Sequence, residues 1–332
     1  MHEQEMTMRE ALNLALDQAL QADERVFLLG EDIADPGASG PTAGLSTKYG
    51  HDRVLDTPIS EAAIVGAAIG AAIDGLLPVA EIMIMDFIGI AADQLINNAA
   101  KLRFMTGGRT TAPITIRTQV YAGLATGATH SQSLEAWFMH IPGMKVIVPS
   151  TPRDGKGLLT AAIFDEDPCL FVETIRLQGK KGPVPVDPGF AIPLGQADVK
   201  RAGTEVSLIS YGRSVHEALA AADALAEQGV SAEVVDLRTL VPLDVETIVR
   251  SARRTRRAVI VHDAVQFAGP GAEIAAILQS ELFGELEAPV ERIGARFVPN
   301  PAAAVLEAQV YPSSGRIIEA AQRTLEKTKV HG

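Results

Sequence analysis

Two apolar periods alternate along this chain, and their order predicts its architecture. From Thr7 to Ala19 apolar residues fall on one helical face, at Met8, Ala11, Leu12, Leu16 and Ala19, and Thr7 with Glu10 has capping-box spacing. Short apolar runs follow at Val26 to Leu29, Val79 to Ile84, Ile114 to Arg117, Lys145 to Val148 and Cys169 to Glu173, each the length of a buried strand. Helical stretches over Ala91 to Met105 and Asp154 to Phe164 lie between them. Short apolar strands separated by helices predict an α/β fold with a parallel sheet covered on both faces. From Ala62 to Ile73 no residue is charged, so a wholly apolar helix is expected behind Glu61. Asp74, Gly75, Pro78 and Glu81 interrupt the apolar stretch that runs on to Met85, which therefore reads as a buried helix and a buried strand rather than a membrane span.

Between Gln178 and Gly195 the periodicity gives way to Gly, Lys and closely spaced prolines, Pro183, Pro185, Pro188 and Pro193. A linker at about 178–200 is expected there, dividing the chain into domains 1–190 and 201–332. The second domain repeats the alternation. Its strands are expected at Val206 to Ser210, Ala232 to Val235, Ala258 to Val261 and Val290 to Ile293. Its helices are expected at Val215 to Gln228, Val245 to Ala252, from Ala272 and from Arg316. The segment Glu31 to Tyr49, with three glycines and two prolines, reads as an irregular loop whose length suggests a functional surface.

Composition narrows the partners. The 332 residues are 47% hydrophobic and 21% charged, ordinary for a globular protein of about two domains. Forty-one acids against 29 bases give a net charge of −12, which opposes nucleic acid and anionic membranes. The lone Cys169 lies in an apolar run and reads as a buried core thiol. The first residues lack the pattern of a signal or transit peptide, so a cytoplasmic location is expected.

Candidate chemistry gathers where the first domain's strands end. Asp56-Thr57-Pro58-Ile59-Ser60-Glu61 turns from strand to helix, with Pro58 disfavouring helix at Thr57 and Ser60 placed to cap the helix. Glu61 thus marks the border between a packed core and the rim where ligands bind in open α/β sheets. Asp86 and Phe87 follow the strand Val79 to Ile84, and His130 follows a small-residue loop whose Gly123 and Gly127 admit close backbone approach. A carboxyl, a ring and an imidazole at one sheet edge suit proton transfer on a bound heterocycle or carbonyl. The same residues have plainer readings: Glu61 as a first-turn acid favouring the helix dipole, Phe87 as core packing, His130 as a loop histidine bonded to backbone. Arg253, Arg254, Arg256 and Arg257 at a helix end read as a solvated cap that offsets the dipole. No Walker loop, metal-spaced Cys/His cluster, nucleophile elbow or strand-linked dinucleotide fingerprint occurs.

Phe27-Leu28-Leu29-Gly30-Glu31-Asp32, Arg53 to Glu61, Asp93 to Lys101, His130-Ser131-Gln132, His140-Ile141-Pro142-Gly143 and Asp236-Leu237-Arg238-Thr239 together form a longer pattern. In these segments the chain resembles the beta subunit of the thiamine-diphosphate-dependent component of 2-oxo acid dehydrogenase complexes, the group that includes pyruvate, branched-chain and acetoin dehydrogenases. The resemblance covers nearly the whole length. It implies a transketolase-like architecture: a pyrimidine-binding parallel-sheet domain followed by a transketolase C-terminal α/β domain. It also implies an enzyme that forms an acyl carbanion from a 2-oxo acid or acetoin and passes the acyl group to the lipoamide of an acyltransferase. Catalytic roles are implied for Glu61, at a ring nitrogen of the cofactor, and for His130, in substrate binding and acyl transfer. Cofactor contacts are implied for Glu61, Ile59, Phe87 and Met83, and a potassium site for Ile114, Ala162, Ile163, Asp165 and Asp167, mostly through backbone oxygens. The family's Gly-Asp-Gly motif for diphosphate and magnesium has no counterpart here, so an alpha subunit is expected to supply that half in an assembly of two alpha and two beta chains. After Phe171-Val172-Glu173 many relatives reach a tyrosine, where this chain has Thr174-Ile175-Arg176-Leu177. Two other readings accompany this one: a split transketolase-like carboligase passing the intermediate to an aldehyde, and a scaffold subunit without chemistry.

Overall fold

A computed structural model describes residues 2–34 and 40–328. Contacts divide the chain into two units, one formed by residues 1–121 and 137–194 and the other by residues 122–136 and 195–332.

The first unit contains β1 (Glu3–Thr7), α1 (Met8–Ala22), β2 (Val26–Gly30), α2 (Leu45–Tyr49), β3 (Val54–Asp56), α3 (Glu61–Ile73), β4 (Leu77–Ile84), α4 (Ala100–Met105) and β5 (Thr115–Val120). After a short helix α5 (Glu135–Met139), it continues with β6 (Lys145–Ile147), α6 (Pro152–Ile163), β7 (Cys169–Thr174) and β8 (Lys181–Pro185). Its main strands lie in the order β6-β7-β5-β4-β2-β3, every pair parallel. On one face α1 and α6 pack together over Val26, Leu28, Val79, Ile147 and Phe171. Gly155 of α6 makes that approach possible, because a Cβ there would strike the Met8 sulfur. The Thr7 capping box forms: Glu10 N donates to Thr7 Oγ1 at 3.2 Å and Thr7 N donates to the Glu10 carboxylate at 2.7 Å.

Inside the sheet, Arg117 is 1% exposed and spans two acids, donating to Glu173 Oε1 at 2.8 Å and Glu81 Oε2 at 2.6 Å. These carboxylates hold the guanidinium charged against the cost of burial.

Several local expectations change. The helix expected over Ala91 to Met105 is a 3-10 turn (Met85–Ala91), a π segment (Gln94–Ala99) and α4. Asn97 and Asn98 turn their side-chain amides back onto Asp93, at 2.7 Å and 3.3 Å, a local bonding pattern that competes with the α ladder. The expected linker is partly a strand, since β8 pairs antiparallel with β1 along its whole length. The loop expected at Glu31 to Tyr49 ends in helix α2, and its residues 35–39 lie outside the described residues.

The second unit contains β9 (Asp198–Arg201), β10 (Val206–Ser210), α7 (Ser214–Glu227), β11 (Ala232–Asp236), β12 (Thr239–Val241), α8 (Val245–Thr255), β13 (Ala258–Val265), α9 (Pro270–Glu281), β14 (Glu291–Ala295), α10 (Ala304–Glu307) and α11 (Ser314–Thr328). Its sheet runs β14-β13-β10-β11-β9, parallel except for the edge strand β9. Val206, Leu208, Val234, Val259, Leu225 and Ile317 belong to its core. The four arginines near the end of α8 are each paired with an acid: Arg253 with Glu285, Arg254 with Glu233, and Arg256 and Arg257 with Glu287. Cys169 of the first unit is a fully buried free thiol, and burial raises its pKa.

Candidate functional site

Glu61 is the first residue of α3 and only 5% exposed. The turn that delivers it is anchored to β2, for Thr57 N donates to Gly30 O at 2.9 Å and Asp56 accepts from Ala34 N at 2.7 Å. The cap expected from Ser60 does not form. Ser60 has ψ 79°, whereas Thr7 and Thr151, which do cap helices, have ψ 160° and 157°. Its hydroxyl makes no bond to the first-turn N–H groups, so the positive end of α3, where Glu61 stands, has no side-chain cap. Among the described residues that carboxylate accepts no hydrogen bond and makes no ion pair. Glu31, just beyond β2, has its pKa raised by burial first and by Glu61 and Asp32 next, which places two carboxyls at this rim. Sequence alone gives Glu31 no role, although its place after a strand in Gly30-Glu31-Asp32 is the available signal.

Phe87 is half-buried in the 3-10 turn Met85–Ala91, which packs against α3. Met83 sits at a register shift, with Ile82 opposite Thr118 and Ile84 opposite Gln119, so it is the extra residue of a β-bulge. A bulge re-aims its side chain out of the normal alternation. Ile59 is 81% exposed on the turn before Glu61. Glu61, Ile59, Met83 and Phe87 thus all belong to the first unit, on α3 and the two segments around it.

His130 belongs to the second unit, on the segment 122–136. The loop before it takes the left-handed conformation at Gly123 (φ 84°), Ala125 (φ 57°) and Gly127 (φ 87°). Thr126 Oγ1 donates to His130 O at 2.9 Å, and Thr129 Oγ1 lies 3.0 Å from His130 Nδ1. Farther along, Tyr211 donates to Glu135 Oε1 at 2.8 Å, while Glu135 Oε2 is buried with no hydrogen-bond partner among the described residues. Burial pushes the Glu135 carboxyl up to about 7. Beside this segment lies a cavity of about 320 Å3 lined by Ser131, Gln132, Leu134, Asp263, Asn300 and Tyr311 among others.

The expected potassium residues cluster around the C-terminal end of α6. Ile114 O accepts from Cys169 N at 2.9 Å and Ala162 O from Asp165 N at 3.2 Å. Lys145 Nζ grips both oxygens of Asp165, at 2.5 Å and 2.6 Å, and Arg103 Nε donates to Asp167 Oδ1 at 2.6 Å. These carboxylates are already matched by cations, so a bound ion here would rely on backbone oxygens at the negative end of a helix. Among the described residues no cluster of three His, Cys, Asp or Glu could hold a metal ion, and no helix is long and apolar enough to cross a membrane.

Comparison with known proteins gives two family matches: residues 4–179 match the transketolase pyrimidine binding domain and residues 195–317 the transketolase C-terminal domain. The chain is 45% identical over 335 residues to the acetoin:2,6-dichlorophenolindophenol oxidoreductase subunit beta of Cupriavidus necator, covering 98% of each chain. It is 46% identical over 323 residues to the mitochondrial pyruvate dehydrogenase E1 component subunit beta-2 of Oryza sativa subsp. japonica, covering 96% of this chain and 86% of that one. Among solved structures, a split gene transketolase described as an inactive beta4 tetramer superposes with a TM-score of 0.79 at 23% identity, covering 97% of this chain and 99% of that one. That likeness concerns the fold alone.

Proposed function

The chain belongs to the family of pyruvate and acetoin dehydrogenase beta subunits, built from transketolase pyrimidine-binding and C-terminal domains, and from that membership we propose that it is the beta half of a thiamine-diphosphate-dependent 2-oxo acid or acetoin dehydrogenase component. Thiamine diphosphate, when bound, supplies the nucleophilic carbon that attacks the substrate carbonyl. The single observation that carries the reading is Glu61: a side chain 5% exposed, at the positive end of a helix, whose carboxylate has no donor among the described residues. Its acceptors are open to a donor that arrives with a ligand, and a protonated ring nitrogen is such a donor. Glu61 would hold the proton at that nitrogen. Phe87 and the bulged Met83 would give the ring an apolar wall, and the backbone at Ile59 would meet its edge. His130 would bind the substrate and assist transfer of the acyl group to the lipoamide of an acyltransferase.

The alpha subunit supplies the diphosphate and magnesium half in this reading, in an assembly of two alpha and two beta chains. Backbone oxygens of Ile114, Ala162, Ile163, Asp165 and Asp167 would hold potassium where α6 ends. The test is to assemble this chain with its alpha partner and follow reduction of 2,6-dichlorophenolindophenol with pyruvate, branched 2-oxo acids or acetoin, in the presence of thiamine diphosphate and magnesium. The expected outcome is turnover that requires both chains. Turnover only with an aldehyde as acceptor would overturn the reading in favour of a carboligase.

A further inference from the structure

We infer that Glu307 is a positioning residue for His130, an inference that rests on His130 acting at the site as proposed. Glu307 ends α10 and is 2% exposed. Both its oxygens are spent on the backbone of the loop before His130: Oε1 accepts from Gly123 N at 3.0 Å and Oε2 accepts from Ala125 N at 2.6 Å. Gly123 and Ala125 are left-handed residues, and for an alanine that conformation persists only where the surroundings impose it. Paired bonds to a carboxylate do impose it, since bonds to an ionised acceptor are short and strong.

The same short segment holds the far side of His130. Tyr311 donates its hydroxyl proton to Ser131 O at 2.9 Å, and Val310 N donates to Glu307 O at 2.9 Å, which joins the two grips. Between them the turn is tied internally, with Thr126 Oγ1 2.6 Å from Ser131 Oγ and donating to His130 O. His130 thus rides on backbone clamped at Gly123 and Ala125 before it and at Ser131 after it. An apolar residue would fill the space of Glu307 without the cost of burying a carboxylate. What the carboxylate adds is a fixed path for this loop, and reaction rates are sensitive to displacements of about 1 Å in a group that touches substrate.

The test uses the complex assembled with its alpha partner and loaded with cofactor, comparing Glu307→Gln, Tyr311→Phe and His130→Gln. Glutamine keeps the shape of Glu307 but presents an NH2 group to one of the two loop N–H groups. Glu307→Gln is expected to lower kcat on the order of ten- to a hundredfold. Cofactor Kd and Tm should stay near wild type, and amide exchange should quicken only across residues 122–131. Glu307→Asp, which keeps the charge, should recover part of the loss. If His130→Gln turns over normally, the role of His130 fails and the inference falls with it. If His130→Gln is slow while Glu307→Gln is not, or if Glu307→Gln is slow only alongside a general loss of exchange protection, the inference alone is overturned. Should Glu307→Gln not assemble, Tyr311→Phe decides: a lower kcat with local loosening at 131 supports the inference, and unchanged kcat overturns it.

Discussion

Glu61 of the first unit and Glu307 of the second are buried almost equally, at 5% and 2% exposure, yet their surroundings are opposite. Glu307 accepts a backbone N–H on each oxygen, whereas Glu61 accepts none among the described residues. The difference separates two uses of a buried carboxylate. One whose acceptors are filled by its own chain fixes a backbone path, and one whose acceptors are open at a helix N-terminus is ready for a ligand's donor. Glu173 falls with Glu307, since Arg117 and Gln178 donate to it at 2.8 Å and 2.7 Å. Glu135 lies between, with one oxygen bonded to Tyr211 and the other without a partner among the described residues.

The largest effect is expected where a filled carboxylate is made open. Arg117→Met would strip Glu173 and Glu81 of their shared cation inside the sheet, and removing one partner of a buried pair costs about 3–5 kcal/mol. A large fall in midpoint by chemical unfolding is expected, and an unchanged midpoint would show that donor filling is not what these acids depend on.

Glu135 sharpens the intermediate case through pH. Its folded pKa, raised by burial from 4.5 to about 7, means that its contribution to stability is fully present below about 4.5 and is lost as pH rises through about 7. The loss amounts to about 3 kcal/mol. Glu135→Gln should therefore gain stability relative to wild type at pH 8 and not at pH 4. His262 works in the other direction, because burial lowers it from 6.5 to about 4, so its contribution is present above about 6.5 and is lost as pH falls through about 4. Unfolding midpoints measured across that range check the sign, and equal shifts at both ends would contradict it.

How much of this was legible in sequence depends on the range of the interaction. The Thr7 capping box and the strand starting at Val206 are local patterns, and both appear where the periodicity puts them. The place of Glu61 at the start of α3 was legible for the same reason: an acid between a Pro-containing turn and an uncharged helix. The Ser60 cap failed because a residue type in the right place does not fix ψ. The bulge at Met83 arises from pairing with β5, and periodicity along one strand carries no trace of its partner's register. The β1–β8 ladder hides for a similar reason: prolines marked its second half as linker, although an edge strand tolerates them. Glu307 was invisible because its partners, Gly123 and Ala125, stand 184 and 182 residues away and contribute only N–H groups that every residue carries.

Glu61 is proposed to hold a proton on the cofactor ring and so to activate its nucleophilic carbon. The most direct measurement is the rate at which the proton on that carbon of bound thiamine diphosphate exchanges with deuterium in the assembled complex, for wild type and Glu61→Gln. The account predicts exchange slower by about 10²–10⁴-fold in the variant, the range for loss of a positioned acid–base group, with the cofactor still bound. Equal exchange rates at equal occupancy would contradict it and return Glu61 to the role of a first-turn acid that merely suits its helix.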